Sequence, residues 1–323
     1  MRKLNGGNFG VVPTMSQVRD YLSVLLLLAL LAVAAVYAPR FLLPSTLLSV
    51  VCSAAILLPA VLGMQTLLIA GRFDLASGAT AALAGVVTGV MLLRGQPVWV
   101  AIAGGMLAGA AVGVATAALT TLFRIDGLIA SLALMGIVRS IALVVADGRT
   151  LSEFPPSLQA ETLGTPGDDS RLLAMSACLL LIGTWVFRYH LASRRLYALG
   201  SSEPAARAVG LPVRGLIVYA YALSAIGGAC TGIIQAARSM SASPLSFQDL
   251  PLECIAACII GGGTLKGGRG SMIGAAFGLI LVVSTRNLVV AMDVPLYWRY
   301  LVVGMFLLIA AAADVSAKRS VTK

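Results

Sequence analysis

Ionisable side chains are sparse in this sequence, and those that interrupt its apolar stretches are the ones whose placement could do chemistry. Asp74 and Ser77 stand three residues apart in Gly71-Arg72-Phe73-Asp74-Leu75-Ala76-Ser77-Gly78, a spacing that puts both on one helix face if a helix begins there. A carboxylate beside an apolar span is costly and calls for a partner. The segment reads either as a structured, re-entrant turn near a solute path or as a capping Asp beside an interfacial Arg. Arg139 lies well inside an apolar run. Such an Arg faces a bundle interior or water and marks a site by default, with Asp74 as one candidate partner. A structural ion pair or snorkelling is the alternative. Arg286 lies nearer the end of its run and snorkels more easily.

Catalytic sets are missing from this inventory. The single histidine, His190, sits at the edge of an apolar run. It is a poor metal candidate and supports no acyl-transfer triad. The five cysteines, Cys52, Cys178, Cys230, Cys254 and Cys258, lie in or beside apolar runs. They are odd in number and form no disulfide framework; Cys254 and Cys258, at i and i+4, read as small buried residues. No G-x-x-x-x-G-K-[ST] run is present, so the chain holds no nucleotide in that way. No cofactor or metal is expected in the chain.

Two further segments carry backbone signals. Ser201-Ser202-Glu203-Pro204-Ala205-Ala206-Arg207-Ala208-Val209-Gly210-Leu211-Pro212 reads as a short helix. Ser202 suits the N-cap, Glu203 and Pro204 the first turn, and Gly210 the C′ position. The helix is a handle for a soluble partner or a solvated connection. Gly261-Gly262-Gly263-Thr264-Leu265-Lys266-Gly267-Gly268-Arg269-Gly270-Ser271 holds six glycines in eleven residues, a poor helix interior. The span before it should be short or broken. Irregular backbone at membrane depth is tolerated where protein or a water-filled cavity covers it, and often borders a substrate path; a tight hairpin with no further role is the alternative.

The elements that must position these residues are membrane spans. The chain has 323 residues, 59% hydrophobic and 11% charged, with a mean hydropathy of +0.95. A soluble domain carries about 25% charged residues, because its surface must be polar. Runs of roughly 20 apolar residues span a bilayer, and they occur at 22–38, 46–70, 77–93, 98–122, 128–146, 172–187, 215–237, near 253–265, 271–291 and 297–314. The runs are continuous rather than alternating, which favours helices over a barrel. The reading is an all-α integral membrane protein of about ten transmembrane helices, some broken or re-entrant. Most of the 23 basic residues fall on the side that holds both termini, which the positive-inside rule makes cytoplasmic. That bias accounts for much of the net charge of +10 and gathers no nucleic-acid-binding face. The organisation is a cytoplasmic N-terminal segment (1–21), a transmembrane domain (22–314) and a cytoplasmic tail (315–323), with an uncleaved first span.

These motifs resemble those of the inner-membrane permease subunits of bacterial ABC sugar importers of the ribose, xylose and autoinducer-2 type. Gly71 to Gly78 is similar to that family's G-G-I-D-L-S-V-G. Tyr197-Ala198-Leu199-Gly200, followed by Glu203, Ala205, Ala206, Arg207 and Gly210, looks like its Y-A-[IL]-G-x-N-x-x-A-A-R-x-x-G segment. Ile255-Ala256-Ala257 with Gly261 and Gly262, then Gly267-Gly268-Arg269-Gly270, resembles its I-A-A-V-V-[IL]-G-G-T-S-L-x-G-G-x-G run, and Tyr297-Trp298 and Asp314 also fit. The resemblance covers about residues 46–314. It implies a multi-pass inner-membrane subunit that pairs with a second permease, as homodimer or heterodimer, to form the pore. A segment at Glu203, Ala205, Ala206, Arg207, Gly210 and Leu211 would dock as a coupling helix into a separate ATPase, which holds the ATP and Mg. A periplasmic binding protein would deliver the solute. Asp74, Ser77, Arg139 and Arg286 would border the path. Gly71, Gly78, Gly262, Gly267, Gly268, Arg269 and Gly270 would form gate or tight-turn backbone.

The sequence departs from the family pattern at several places. Arg72 and Phe73 replace a Gly and an Ile, and Ala76 and Ser77 replace a Ser and a Val. Ser202 stands where Asn is frequent, Leu250 and Pro251 where a Tyr-Glu pair is common, and Arg286 in an Asn-rich region. A positive charge at Arg286 would favour an anionic or otherwise altered solute over a neutral sugar. Permeases for branched-chain amino acids, urea or nucleosides share the architecture. An ion-coupled secondary transporter would need intramembrane carboxylates, of which the spans offer almost none besides Asp74. With 6% aromatics, the expected pore passes its solute with low affinity and leaves selection to the binding protein.

Overall fold

The computed structural model describes residues 34–35, 38–164 and 167–292. Most of the run at 22–38, the run at 297–314, both terminal segments and Tyr297, Trp298 and Asp314 lie outside the described residues. Every other expected span is helical. In chain order the helices are α1 (Pro44–Ile69), α2 (Ser77–Leu93), α3 (Val98–Thr121), α4 (Gly127–Val145), α5 (Ser157–Thr162), α6 (Ser170–Tyr189), α7 (Leu191–Ser201), α8 (Glu203–Ala208), α9 (Val213–Ser239), α10 (Leu250–Ile260) and α11 (Met272–Ala291). Their starts follow local chemistry. Pro44 opens α1, the Asp126 carboxylate caps α4 by accepting from the Leu128 N–H, and the Ser271 hydroxyl caps α11 by accepting from the Gly274 N–H.

Among the described residues, α1, α3, α4, α6, α9 and α11 are long and apolar enough to cross a membrane. The 17-residue α2 and the 11-residue α10 are shorter. At 1.5 Å per residue α10 rises about 16 Å, roughly half a hydrocarbon core. The sequence expectation of a short eighth span holds, and irregular backbone flanks it on both sides.

Helix α9 is the hub, packed on α1, α2 and α3. Small residues let the backbones approach, as expected where lipid supplies no hydrophobic drive between helices. A Cβ on Gly113 of α3 would lie 2.6 Å from the Ala225 Cβ, and one on Gly63 of α1 would lie 2.8 Å from the Ser224 Cα. Pro59 inside α1 interrupts the helical ladder. The next N–H, that of Ala60, donates to Thr231 Oγ1 at 3.1 Å, so the break is repaired across the α1–α9 contact. Helices α4 and α6 lie at the periphery with Leu128, Ile129, Ile137, Val144, Leu181 and Trp185 exposed, a surface suited to hydrocarbon rather than water.

The bundle has two chemically distinct ends. One gathers residues 70–76, α7, α8 and 261–271. The other gathers 147–169 and 240–249. There Leu151 and Ala242 exchange backbone hydrogen bonds of 2.8 and 2.9 Å, and Asp169 pairs with Arg238 of α9. The Cys52 thiol donates to Asp169 Oδ2 at 3.1 Å. The Arg238 guanidinium, and then the thiol, hold the Asp169 carboxyl below its ordinary pKa.

Candidate functional site

The three segments singled out by sequence converge at the α8 end. Ser202 caps α8 by accepting from the Ala205 N–H at 3.3 Å. Glu203 and Pro204 fill its first turn. Gly210, at φ +76°, terminates it in the left-handed region, where glycine carries no Cβ penalty. The Leu211 N–H closes back on the Ala206 carbonyl at 3.0 Å. Ala206 is buried against the bundle while Ala205, Arg207 and Val209 face outward, Val209 at 76% exposure. This end therefore presents a short, capped helix with Ala205, Ala208 and Val209 exposed beside the charged Arg207.

Glu203 joins α8 to the Gly71–Gly78 segment. Its carboxylate accepts from Arg207 Nη2 at 2.6 Å and from Arg72 Nη2 at 2.9 Å. The Arg207 bond leads the causes that hold the Glu203 carboxyl below its usual pKa. Arg72, a departure from the family motif, is thus the residue that ties the turn to α8. The glycine-rich run closes the same junction. The Gly268 N–H donates to the Ile69 carbonyl at 2.8 Å, and the Tyr197 hydroxyl donates to the Gly270 carbonyl at 2.9 Å. A Cβ on Gly267 would lie 2.6 Å from the Gly71 Cα, and one on Gly200 would lie 2.5 Å from the Gly268 N. Three chain segments pass at backbone contact, which is why each carries glycine there. Gly262, Gly267, Gly268 and Gly270 all have positive φ, as the tight-turn reading requires; the Arg269 guanidinium makes no ion pair among the described residues.

From Arg72 the chain enters the bundle. Asp74 is 1% exposed, and its Oδ1 accepts from the Ala76 N–H at 2.8 Å. Ser77 Oγ donates to the main-chain carbonyl of Asp74 at 3.2 Å; α2 begins at Ser77, so Asp74 lies outside the helix and the two residues do not share a helix face. Tyr221 and Ser224 of α9 flank the carboxylate. Gly78 then packs under the Phe247 carbonyl, which a Cβ would overlap. The segment is a buried strap leading from α8 to the 240–249 loop, and the capping Asp of the plainer reading is part of that strap.

Arg139 does not pair with Asp74. Its Nη1 donates to the carbonyls of Pro244 and Ser246 at 2.7 and 2.6 Å, so its charge is spent on the irregular backbone of the 240–249 loop. Arg286 pairs with Glu253 of α10 at 3.6 Å and lines a cavity of about 500 Å³ between α1, α9, α10, α11 and the same loop. Of the four expected path residues only Arg286 lines this cavity; Asp74 and Ser77 belong to the strap and Arg139 braces the wall. Sequence reasoning passed over Glu253, 4% exposed, although a lone carboxylate opening an apolar run was a visible signal. Gln235 and Phe247 line the cavity too, and only the folded chain brings them there.

A family model described as "Branched-chain amino acid transport system / permease component" matches residues 46–311. The chain belongs to this family of transport permeases. The permease is 27% identical over 310 residues to the autoinducer 2 import system permease protein LsrC of Enterobacter sp. (strain 638), covering 96% of this chain and 90% of that one. It is 30% identical over 266 residues to the L-arabinose transport system permease protein AraH of Escherichia coli (strain K12), covering 80% of each. It is 26% identical over 298 residues to the ribose import permease protein RbsC of the same strain, covering 90% of this chain and 92% of that one. With six membrane-length helices among its described residues, the permease is a multi-pass inner-membrane protein, and the expected family resemblance holds over most of its length.

Proposed function

We propose that this permease forms the translocation path of an ATP-driven importer for a monosaccharide, with no catalytic site of its own. One observation carries the reading: α8, a short capped helix with an exposed apolar face, is ion-paired through Glu203 to a strap that runs into the membrane-spanning bundle. The names of the relatives, which concern autoinducer 2, L-arabinose and ribose, support a sugar-sized solute.

In this reading Glu203, Ala205, Ala206, Arg207, Gly210 and Leu211 form the contact for a separate ATPase subunit, in which ATP and Mg reside. A periplasmic solute-binding protein loads the opposite end, and a second permease subunit completes the pore. The transmembrane domain, 22–314, contributes about ten spans, with the segments 1–21 and 315–323 cytoplasmic. Arg286 borders the path, while Asp74, Ser77 and Arg139 act on it through the strap and the loop. Gly71, Gly78, Gly262, Gly267, Gly268, Arg269 and Gly270 form the backbone junction that transmits movement of α8.

The test is affinity purification from detergent-solubilised native membranes of the wild type and Glu203→Lys, with the copurifying ATPase activity assayed. The wild type should retain an ATPase and the variant should lose it, because the substitution places a third cation between Arg72 and Arg207. Equal ATPase in both preparations would refute the assignment of α8, and none in either, where a control complex survives, would refute the importer reading.

A further inference from the structure

At the turn between α6 and α7 the apolar periphery of the bundle meets a cluster of arginines. Of the 20 residues of α6 only Leu172 and Phe187 are buried. Leu181, Ile182, Trp185 and Tyr189 lie exposed, a face that hydrocarbon suits. Toward the α8 end of the bundle this face finishes in an aromatic pair, Trp185 and Tyr189, with ring centroids 6.1 Å apart. Exposed Trp and Tyr at the end of a span mark the headgroup level of a bilayer. The chain then turns at His190, whose extended backbone separates α6 from α7, and Leu191 is exposed just beyond it.

The arginines stand at this same level. The Arg188 guanidinium lies 5.8 Å from the Tyr189 ring centroid. Arg194 reaches back across the turn, its Nε and Nη2 donating to the Arg188 carbonyl at 3.4 and 3.2 Å, and Arg195 follows it, half-buried. No side chain caps α7, so its first-turn N–H groups, the partly positive end of the helix, open at the same corner. Helix α6 packs on α1 and α11, and α7 packs on α1, α8 and α9. None of these helices contains Asp or Glu except α8, whose Glu203 is engaged by Arg72 and Arg207. The segments 1–21 and 315–323 hold three basic side chains each against one carboxylate, Asp20, so the chain's own ends do not complement the cluster. Guanidinium groups stay charged, and their forked donors match the oxygens of a phosphate.

We propose that the α6–α7 corner is a docking site for an anionic phospholipid, its phosphate held at Arg188, Arg194 and Arg195 and its acyl chains lying along the exposed face of α6. A soluble anion or an acidic protein surface would meet the arginines and leave the apolar face and the aromatic pair unused; a phospholipid meets both. The position bears on coupling. Helix α7 carries Tyr197 and Gly200 into the junction beneath α8, so a lipid that fixes the corner also steadies that junction. The site concerns placement in the bilayer and stands apart from the identity of the solute.

Trp185 is a built-in reporter. The full-length protein carrying Trp99→Phe and Trp298→Phe keeps it as the single tryptophan. This protein is reconstituted into phosphatidylcholine vesicles containing a minor fraction of lipid brominated near the headgroup, either phosphatidylglycerol or phosphatidylcholine, and quenching of Trp185 is read. Arginines at the interface should favour the anionic lipid by about tenfold or more. At about one part in ten of the lipid, that preference raises its occupancy of the site from about one tenth to about one half. Brominated phosphatidylglycerol should therefore quench about fivefold more than brominated phosphatidylcholine. Arg188→Gln/Arg194→Gln should lower quenching by phosphatidylglycerol to the phosphatidylcholine level and leave that level unchanged, which separates loss of the site from loss of the fold. Arg188→Lys/Arg194→Lys should keep most of the preference. Equal quenching by the two lipids with the arginines intact overturns the proposal, as does quenching by neither, which would mean that protein, a second copy included, covers Trp185. Abolition of the preference by millimolar glycerol phosphate would assign the arginines to a soluble anion. Loss of copurifying ATPase in the glutamine variant with the lipid preference intact would assign them to the partner subunit. Either result overturns the lipid site.

Discussion

Replacing Gly200 by Ala tests whether the three-segment junction beneath α8 is a true backbone contact. Gly200 lies within α7, so the change should add about 1 kcal/mol of helix propensity if nothing stood in the way. The structure puts the added Cβ on top of the Ile69 carbonyl oxygen and 2.5 Å from the Gly268 N, against 3.4–4 Å for ordinary contact. Both neighbours are main-chain atoms that no side-chain rotation can move. They are also the two partners of the 2.8 Å Gly268–Ile69 hydrogen bond, so separating them by about an ångström weakens that bond as well. Overpacking costs about 1–3 kcal/mol and a lost hydrogen bond about 1 kcal/mol. Set against the propensity gain, the net destabilisation is about 1–3 kcal/mol. Gly215→Ala is the matched control, a helical glycine in α9 whose added Cβ meets nothing within 4 Å. Thermal unfolding in detergent should therefore show Gly200→Ala melting below the wild type and Gly215→Ala at or slightly above it. Copurifying ATPase should fall only in the former. Equal melting of the two variants would refute the close approach of α7, the α1 end and the glycine-rich run.

Other substitutions probe the bundle and its opposite end. Thr231→Val removes the acceptor of the Ala60 N–H beside Pro59. A buried N–H without a partner costs about 1–3 kcal/mol, so this variant should melt lower while Thr231→Ser stays near wild type. Arg139→Met releases the Pro244 and Ser246 carbonyls, and limited proteolysis should then cut within 240–249 faster than in the wild type; an unchanged rate would show that Arg139 does not brace the loop. Glu203 and Asp169 both have carboxyls held below their ordinary pKa, by Arg207 and Arg238 respectively. Their contribution to stability is present above the unfolded values, about 4.3 and 3.9, and is lost as the pH falls through the lower folded values. The melting temperature should be flat from neutral pH down to about pH 5 and then drop, less steeply in Glu203→Gln/Asp169→Asn; identical acid limbs would argue against both pairs.

Sequence and tertiary structure divide the description along a physical line. Membrane residence, helical class and the bounds of the spans are written locally, because a bilayer demands about 20 apolar residues with an internally satisfied backbone and no folded partner is needed to see that. The caps of α8 are equally local: Ser202, Pro204 and Gly210 each act within one turn of their own position. Glycine density at 261–271 signalled irregular backbone for the same reason. What a charge does is different, since its partner lies wherever the fold brings one. In the sequence Arg139 stood out inside an apolar span, and Asp74, beside another span, was one candidate partner for it. Instead Asp74 caps the N–H of Ala76, two residues along, and Arg139 binds carbonyls more than 100 residues away. Arg72 gained its meaning from Glu203 and Arg286 from Glu253, and no spacing rule links either pair. The sequence alone determined that this chain lives in a membrane and where it turns. Only the tertiary structure decided which charges are neutralised and which cavity they line, because electrostatic partnership acts across distances in space that sequence separation does not encode.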